Sequence, residues 1–307
     1  VSAALPAPAR DATDLTARLV ELAFLARAVD AELERLALAG RLRGFRPARR
    51  AVWPMVATGL ALGPEDQLFG TSRDWPAALG RGVSAATLMR QMFAKDGDPA
   101  LGRSLPGGLH DAVRKIILSD GSAAAHILHA VGFGIAAQIR RGGGVAVALF
   151  GAGAFASGDV HAAFSLAPVR AARVVFVARG PRGDEPGFDA ATEAWGLRLV
   201  PVDGDHGAAV FDAVSRARVR ALAGEGPTLI DARHQDSPRI PEDLLVLQRA
   251  GRLSSEAERA TEAEIRATVW AARKSAEAAS APGPDTLFAH RLAADPDDDD
   301  PVEEDPT

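Results

Sequence analysis

The sequence predicts an α/β protein built on a mainly parallel, doubly wound sheet, with a leading helix and a helical C-terminal extension. Three observations carry that expectation. Val145 to Phe150 is continuously apolar, as a central parallel strand buried on both faces must be. From about Ala51 to Ala232, apolar runs alternate with helix-period segments and glycine turns, the pattern of a sheet with helices on its faces. The 307 residues, 47% apolar and 24% charged, suffice to bury a full core as one large or two smaller domains.

Residues 1–13 read as a flexible start. From Asp14 to Leu38, Leu15, Leu19, Leu22, Leu25, Val29, Leu33 and Leu36 recur at steps of three and four, so an amphipathic helix is expected. Thr13 or Asp14 can cap its start and Gly40 can end it. The central strand has Val174 to Ala178, Arg198 to Val202 and Thr228 to Asp231 as expected neighbours. Helices are expected near His161 to Leu166, Phe188 to Trp195 and Ala208 to Leu222, making crossovers between parallel strands. An α/β domain is therefore drawn over residues 14–240. Past Pro241 only helices are expected, Glu242 to Ala250 and Ser254 to Ala278, with a Pro-Gly-Pro break at Pro282 to Pro284 in an extension reaching 294. Residues 295–307 hold eight acids punctuated by proline and are expected to be disordered and solubilising.

Taking those eight negative charges from the formal −5 leaves +3 on the rest, too weak and scattered for a nucleic-acid surface. With no cysteine, disulfides, thiolate catalysis and cysteine-bound metals are excluded, and a reducing compartment is suited. The charge-free run Gly142 to Gly158 is too short and too glycine-rich to span a bilayer. The first residues show no basic segment followed by an apolar one, so no secretion signal is read and a cytoplasmic, membrane-independent protein is expected. His126 and His129, three apart, share a helix face without a third metal ligand at a suitable spacing; a packing or hydrogen-bonding role is expected, as it is for His161.

The informative stretch is Val145-Ala-Val-Ala-Leu-Phe-Gly-Ala-Gly-Ala-Phe-Ala-Ser-Gly-Asp159, a buried strand running through a glycine turn into a helix. Backbone N–H groups there can approach an anion at a helix N-terminus. One chemistry using this layout is dinucleotide binding, for which Gly151-x-Gly153-x-x-Ala156 has the glycine spacing. That site wants an acid about 20 residues on to hold the ribose. The next strand instead ends at Arg179, 28 residues after Gly151, which suits only a phosphorylated ribose, so an NADP-dependent reductase is a remaining alternative.

Phe150-Gly-Ala-Gly-Ala-Phe-Ala-Ser-Gly-Asp-Val-His-Ala-Ala-Phe-Ser-Leu-Ala167 also resembles a family segment, Gly-(Asp/Glu)-Gly-Ala-x-x-x-Gly-Asp-x-His-x-x-x-Asn-x-Ala. That family is the alpha subunit of the thiamine diphosphate-dependent dehydrogenase component of 2-oxo acid dehydrogenase complexes, and the branched-chain type is the nearest. Gly40-Arg-Leu-Arg-Gly-Phe45, Ser72-Arg-Asp74, Arg81-Gly82, Ala130-Val-Gly132, Val202-Asp-Gly204 and Gly226-Pro-Thr-Leu-Ile230 resemble further family pieces in the same order. The resemblance implies a three-layer α/β sandwich of the thiamine diphosphate-binding type. It implies a beta-type partner chain in an α2β2 heterotetramer, with a homodimer as the other assembly, and a cofactor between chains. Diphosphate contacts would fall on Arg73, Gly151, Gly153, Ala154 and Gly158; no catalytic residue is carried over.

The chain departs from the family where magnesium would be held. Ala152 stands in place of the metal-binding acid, and Gly180-Pro181, reached after 26 intervening residues from Gly153, stands where an Asn-Asn pair belongs. Neither place offers the side-chain oxygen that magnesium coordination draws on. Ser165 replaces an asparagine, Ser72 replaces a tyrosine, and after Ile230 most of the family's active-site loop is missing, so His234 and Ser237 take no role. Arg73, Arg179 and Arg182 either converge on a metal-free diphosphate or are solvated surface residues. The expectation is a degenerate, non-catalytic scaffold or partner subunit that binds neither magnesium nor thiamine diphosphate. The alternative is a working acyl-transferring alpha subunit that binds both.

Overall fold

A computed structural model describes residues 12–48, 51–181, 188–233, 242–249, 254–284 and 286. The start 1–11, the acidic segment 295–307, Arg182, His234 and Ser237 lie outside the described residues.

Helix α1 (Ala12–Leu38) opens the structure two residues before the expected Asp14, within the ordinary scatter of helix ends. Then come α2 (Val52–Ala61), β1 (Gln67–Thr71), a 3-10 turn (Ser72–Asp74), α3 (Pro76–Gly80), α4 (Ala85–Met92), β2 (His110–Asp111) and β3 (Ile116–Ser119). Next are α5 (Ala125–Ile139), β4 (Ala146–Gly151), a 3-10 turn (Ala152–Ala156), α6 (Gly158–Val169), β5 (Val174–Arg179), α7 (Asp189–Trp195), β6 (Arg198–Pro201), α8 (Gly207–Leu222) and β7 (Thr228–Asp231). Helices α9 (Glu242–Arg249) and α10 (Ser255–Ala278) follow.

The described strands form one seven-stranded sheet in the order β2-β3-β1-β4-β5-β7-β6. Every pairing is parallel except the short β2 against β3. Four strands were expected; β1, β2 and β3 are additions on one flank. They are short, and Gln67, Gly70 and Thr71 interrupt what would otherwise be an apolar run in β1. The strand expected to be central is central: β4 lies between β1 and β5 and is buried up to Phe150.

The pleat sorts β4 and its neighbours onto two faces. Leu68, Val147, Leu149, Val175, Val177 and Ile230 point into a core shared with α1, α2, α3, α4 and α8. Phe69, Ala148, Phe150, Phe176, Ala178 and Leu229 point into a second core under α5, α6 and α7. This is a three-layer α/β sandwich. Leu244 and Leu247 of α9 and Ile265, Val269, Ala272 and Ala276 of α10 sit in the first core, so the C-terminal helices share it. Burying each leucine, isoleucine or valine among these contributes about 1.5–3 kcal/mol.

Buried polar groups fix how the flank of the sheet is joined. Arg81 is 2% exposed and donates to the carbonyls of Leu62, Gly63, Asp66 and Arg114 at 2.7–3.2 Å. One guanidinium thereby satisfies four loop carbonyls that would otherwise be orphaned in the interior. Asp66, fully buried, accepts the amides of Gly63 (2.7 Å) and Val145 (2.8 Å) and pairs with Arg218, tying the starts of β1 and β4 to α8.

Candidate functional site

After β1 the chain passes to β3 on one side, and after β4 it passes to β5 on the other. Adjacent parallel strands whose connections diverge open a crevice at their carboxyl ends, where ligands of α/β folds bind. Here that switch point falls between Thr71 and Gly151. Two 3-10 turns frame it: Ser72–Asp74 after β1 and Ala152–Ala156 after β4. The registry of β4 with β5 sets Gly151 opposite Arg179, so the third side chain of the site comes from the end of β5.

A closed set of polar contacts fills the floor. Asp74 is fully buried; its Oδ2 accepts the Thr71 amide and the Thr71 hydroxyl, both at 2.8 Å. Its Oδ1 accepts Nε of Arg179 in a buried ion pair. Arg179 is 4% exposed, and its Nη2 reaches the Thr71 hydroxyl at 3.4 Å. The surface-solvated reading of Arg179 is corrected here. The strand register carries it inside, and Asp74, distant in sequence, is there to neutralise it. A second fork lies along the same edge, where Arg233 donates to both carboxylate oxygens of Asp231 at 2.8 and 2.9 Å and stacks 4.5 Å over the Phe188 ring.

His126 approaches from α5. It is buried, and its Nε2 lies 2.7 Å from the Leu149 carbonyl oxygen. A carbonyl only accepts, so this nitrogen carries the proton. Burial pushes the imidazole below its usual range, outweighing the upward pull of that hydrogen bond, and His126 stays neutral. It ties α5 to β4. His129, one turn on, is exposed. Among the described residues, no group of three or more His, Asp or Glu side chains is placed to hold a metal ion.

The glycine turn is anchored by Phe155, which meets Phe188, His161 and Trp195 at centroid distances of 5.1, 5.6 and 6.1 Å. His161 is thus part of an aromatic cluster. Ser157 caps α6 and its hydroxyl accepts the Asp159 amide at 3.3 Å. Of the residues expected to touch a diphosphate, Arg73 is exposed on the rim, Gly151 is partly covered and Ala154 is buried. Gly153 and Gly158 face open space: a Cβ on either meets nothing within 4 Å, and neither has a positive φ. Gly180 also has open space but sits at φ +111, where a side chain is strained. Pro181 beside it is exposed and has no N–H to give.

Among the described residues, the side chains at the switch point do not fit a magnesium ion. Positions 152, 180 and 181 hold Ala, Gly and Pro. Among the described residues, the carboxylate at the floor is Asp74, and it already accepts three hydrogen bonds, one from a cation. Octahedral oxygen coordination is therefore not on offer from these side chains. Sequence reasoning quoted Ser72-Arg-Asp74 but gave Thr71 and Asp74 no role; the Thr-x-x-Asp spacing of a capping box was the available signal.

Residues 54–180 match the family described as "Dehydrogenase E1 component". The mitochondrial 2-oxoisovalerate dehydrogenase subunit alpha 2 of Arabidopsis thaliana is 31% identical over 205 residues, covering 63% of this chain and 43% of that protein. The 2-oxoisovalerate dehydrogenase subunit alpha of Bacillus subtilis is 29% identical over 220 residues, covering 68% of this chain and 67% of that protein. The chain thus spans less than half of the Arabidopsis relative. Among solved structures, transketolase from Campylobacter jejuni aligns with a TM-score of 0.48 at 15% identity, over 84% of this chain and 47% of that one. The sequence likeness centres on the switch point: the matched stretch runs from α2 to Gly180, and over it the chain is similar to dehydrogenase E1 components.

Proposed function

We propose that this chain is a 2-oxo acid dehydrogenase alpha-subunit-like protein that no longer holds magnesium or thiamine diphosphate and serves as a non-catalytic partner or scaffold. The observation that supports it is the floor of the switch point. A divalent cation needs uncommitted oxygens there, yet Asp74 is fully buried against Arg179 and Thr71, and positions 152, 180 and 181 offer hydrocarbon and backbone. A structural role needs none of this chemistry, only the sandwich and its outer surfaces. In this reading the chain works in the cytoplasm and associates with a beta-type dehydrogenase chain as α2β2, or with itself. Co-purification from the native host identifies which.

The second reading, a working subunit, draws on Gly153 and Gly158. Neither glycine is required by packing or by backbone geometry, so their fit is to something lying on the turn. Arg73 on the rim would then face a diphosphate. Calorimetric titration with thiamine diphosphate, with and without magnesium, and with and without a co-purified partner, separates the two. The scaffold reading expects no saturable heat in any arm. Micromolar, magnesium-dependent binding overturns it.

A further inference from the structure

Helix α10 turns two opposite faces to two different surroundings. Its core side is Ile265, Val269, Ala272 and Ala276, each 8% exposed or less. At 3.6 residues per turn, the far side carries Glu256, Ala260, Ala263, Ala267, Trp270 and Lys274, all within about 40° of one line. All six are exposed. Their steps of four and three are those of a seam between two helices. Three alanines alone would be an ordinary helix surface of good propensity. Trp270 is different: it is 59% exposed and is the one exposed Phe or Trp ring among the described residues. It also lines a groove of about 880 Å³ between α10 and α1.

The stripe is complementary to itself. Turned antiparallel about a point level with Ile265, it sets Glu256 opposite Lys274 of a second copy, Ala260 opposite Trp270, and Ala263 opposite Ala267. The large ring meets a small residue, and unlike charges meet at both ends. Among the described residues, neither Glu256 nor Lys274 forms an ion pair within its own chain; Lys274 Nζ lies 5.9 Å over the Trp270 ring. A parallel pairing would set Glu256 on Glu256, Lys274 on Lys274 and the two indoles on each other. The antiparallel edges carry a cost, because Glu264 of each copy falls beside the axis on one edge and Arg266 on the other, where Arg266 keeps Glu262 at 3.3 Å.

We propose that the exposed stripe of α10 is a self-association surface, which joins two copies of this chain through an antiparallel pair of α10 helices. It gives the self-association named in the scaffold reading its contact, and it stands apart from cofactor binding, which tests that reading. The pair spans about 27 Å. One helix pair covers less than the about 1,200–2,000 Å² of a stable interface, so half-association is expected at tens of micromolar, roughly.

Sedimentation velocity of the full chain from about 1 to about 300 μM, at about 50 mM salt, should show monomer passing to dimer. Trp270→Ala should weaken the dimer at least about thirtyfold. Glu256→Lys and Lys274→Glu should each weaken it about fivefold, and the two together in one chain should restore it, because the exchange of both signs rebuilds the pair. Glu264→Gln should tighten it, an effect that loss of folding cannot mimic. The chain has no cysteine, so Ala263→Cys mixed with Ala267→Cys reports the register: on mild oxidation the mixture should cross-link at least about tenfold faster than either variant alone. A chain still monomeric at about 300 μM overturns the proposal, as does a dimer indifferent to Trp270→Ala. A dimer that the charge exchange fails to restore, or in which Ala263→Cys cross-links to itself as fast as to Ala267→Cys, overturns the antiparallel pair.

Discussion

The buried pair at the switch point makes the sharpest stability prediction. Asp74→Ala removes the carboxylate while leaving Arg179 at 4% exposure and the Thr71 amide without its acceptor. Breaking one side of a buried ion pair costs about 3–5 kcal/mol, and the orphaned amide lies within that range rather than on top of it. Against a domain stability of about 5–15 kcal/mol, this is at least about a fifth of the total. With a urea slope of about 3 kcal/mol/M for a chain of this size, the midpoint should fall by about 1.3 M. Arg179→Met alone should cost about 3 kcal/mol, since it strands the charge of Asp74. The double change Asp74→Ala with Arg179→Met removes both charges together and should lie within about 2 kcal/mol of the parent, so the cycle should return a coupling of at least about 3 kcal/mol. Urea titrations of all four forms, followed by circular dichroism, read this directly. A loss below about 1 kcal/mol for Asp74→Ala, or a double change that costs the sum of the singles, refutes the reasoning that the pair is dry and mutually required.

Three further outcomes are expected. Arg81→Met strands the carbonyls of Leu62, Gly63, Asp66 and Arg114 and should destabilise by about 3 kcal/mol or more in the same urea assay; a loss under about 1 kcal/mol means water replaces the guanidinium. Gly180→Ala, at φ +111, should cost about 1–3 kcal/mol, whereas Gly153→Ala should be neutral or slightly stabilising; equal effects at the two positions contradict the backbone assignment. Glu32 carries the pH prediction: the Arg35 hydrogen bond, helped by Arg273 and opposed by burial, lowers its carboxyl from 4.5 to about 2. A depressed folded value means stability that is present above 4.5 and lost as pH falls toward 2, so the urea midpoints of the parent and Glu32→Gln should converge across that window and differ above it.

What the sequence made legible follows from range. The central strand announced itself because every residue from Val145 to Phe150 is apolar, which a strand buried on both faces requires. Helices α1, α8 and α10 were legible from their period. Strand β1 was not, because Gln67, Gly70 and Thr71 are there for close packing and capping: a Cβ on Gly70 would stand 2.9 Å from Leu118 and 3.0 Å from Asp74. The glycine turn was legible as a break in pattern. Its floor was not, because Arg179 and Asp74 meet across 105 residues of sequence, and such a pairing leaves no local periodicity. Arg179 therefore read as a surface charge until strand register placed it beside Gly151.

The places where the sequence was expected to depart from the pattern of the family it resembles and the places that hold its fold are physically different kinds of position. Pro181 and Ser165 are exposed, and Gly180 follows the end of β5 with open space around it, so exchange there removes little packing. Arg81, Asp66 and Asp74 are buried with their hydrogen bonds satisfied, and exchange there strands partners. A chain released from holding a metal would drift at the first kind and keep the second. On that argument the ion pair beneath the turn secures the ends of β1 and β5 to each other without a ligand.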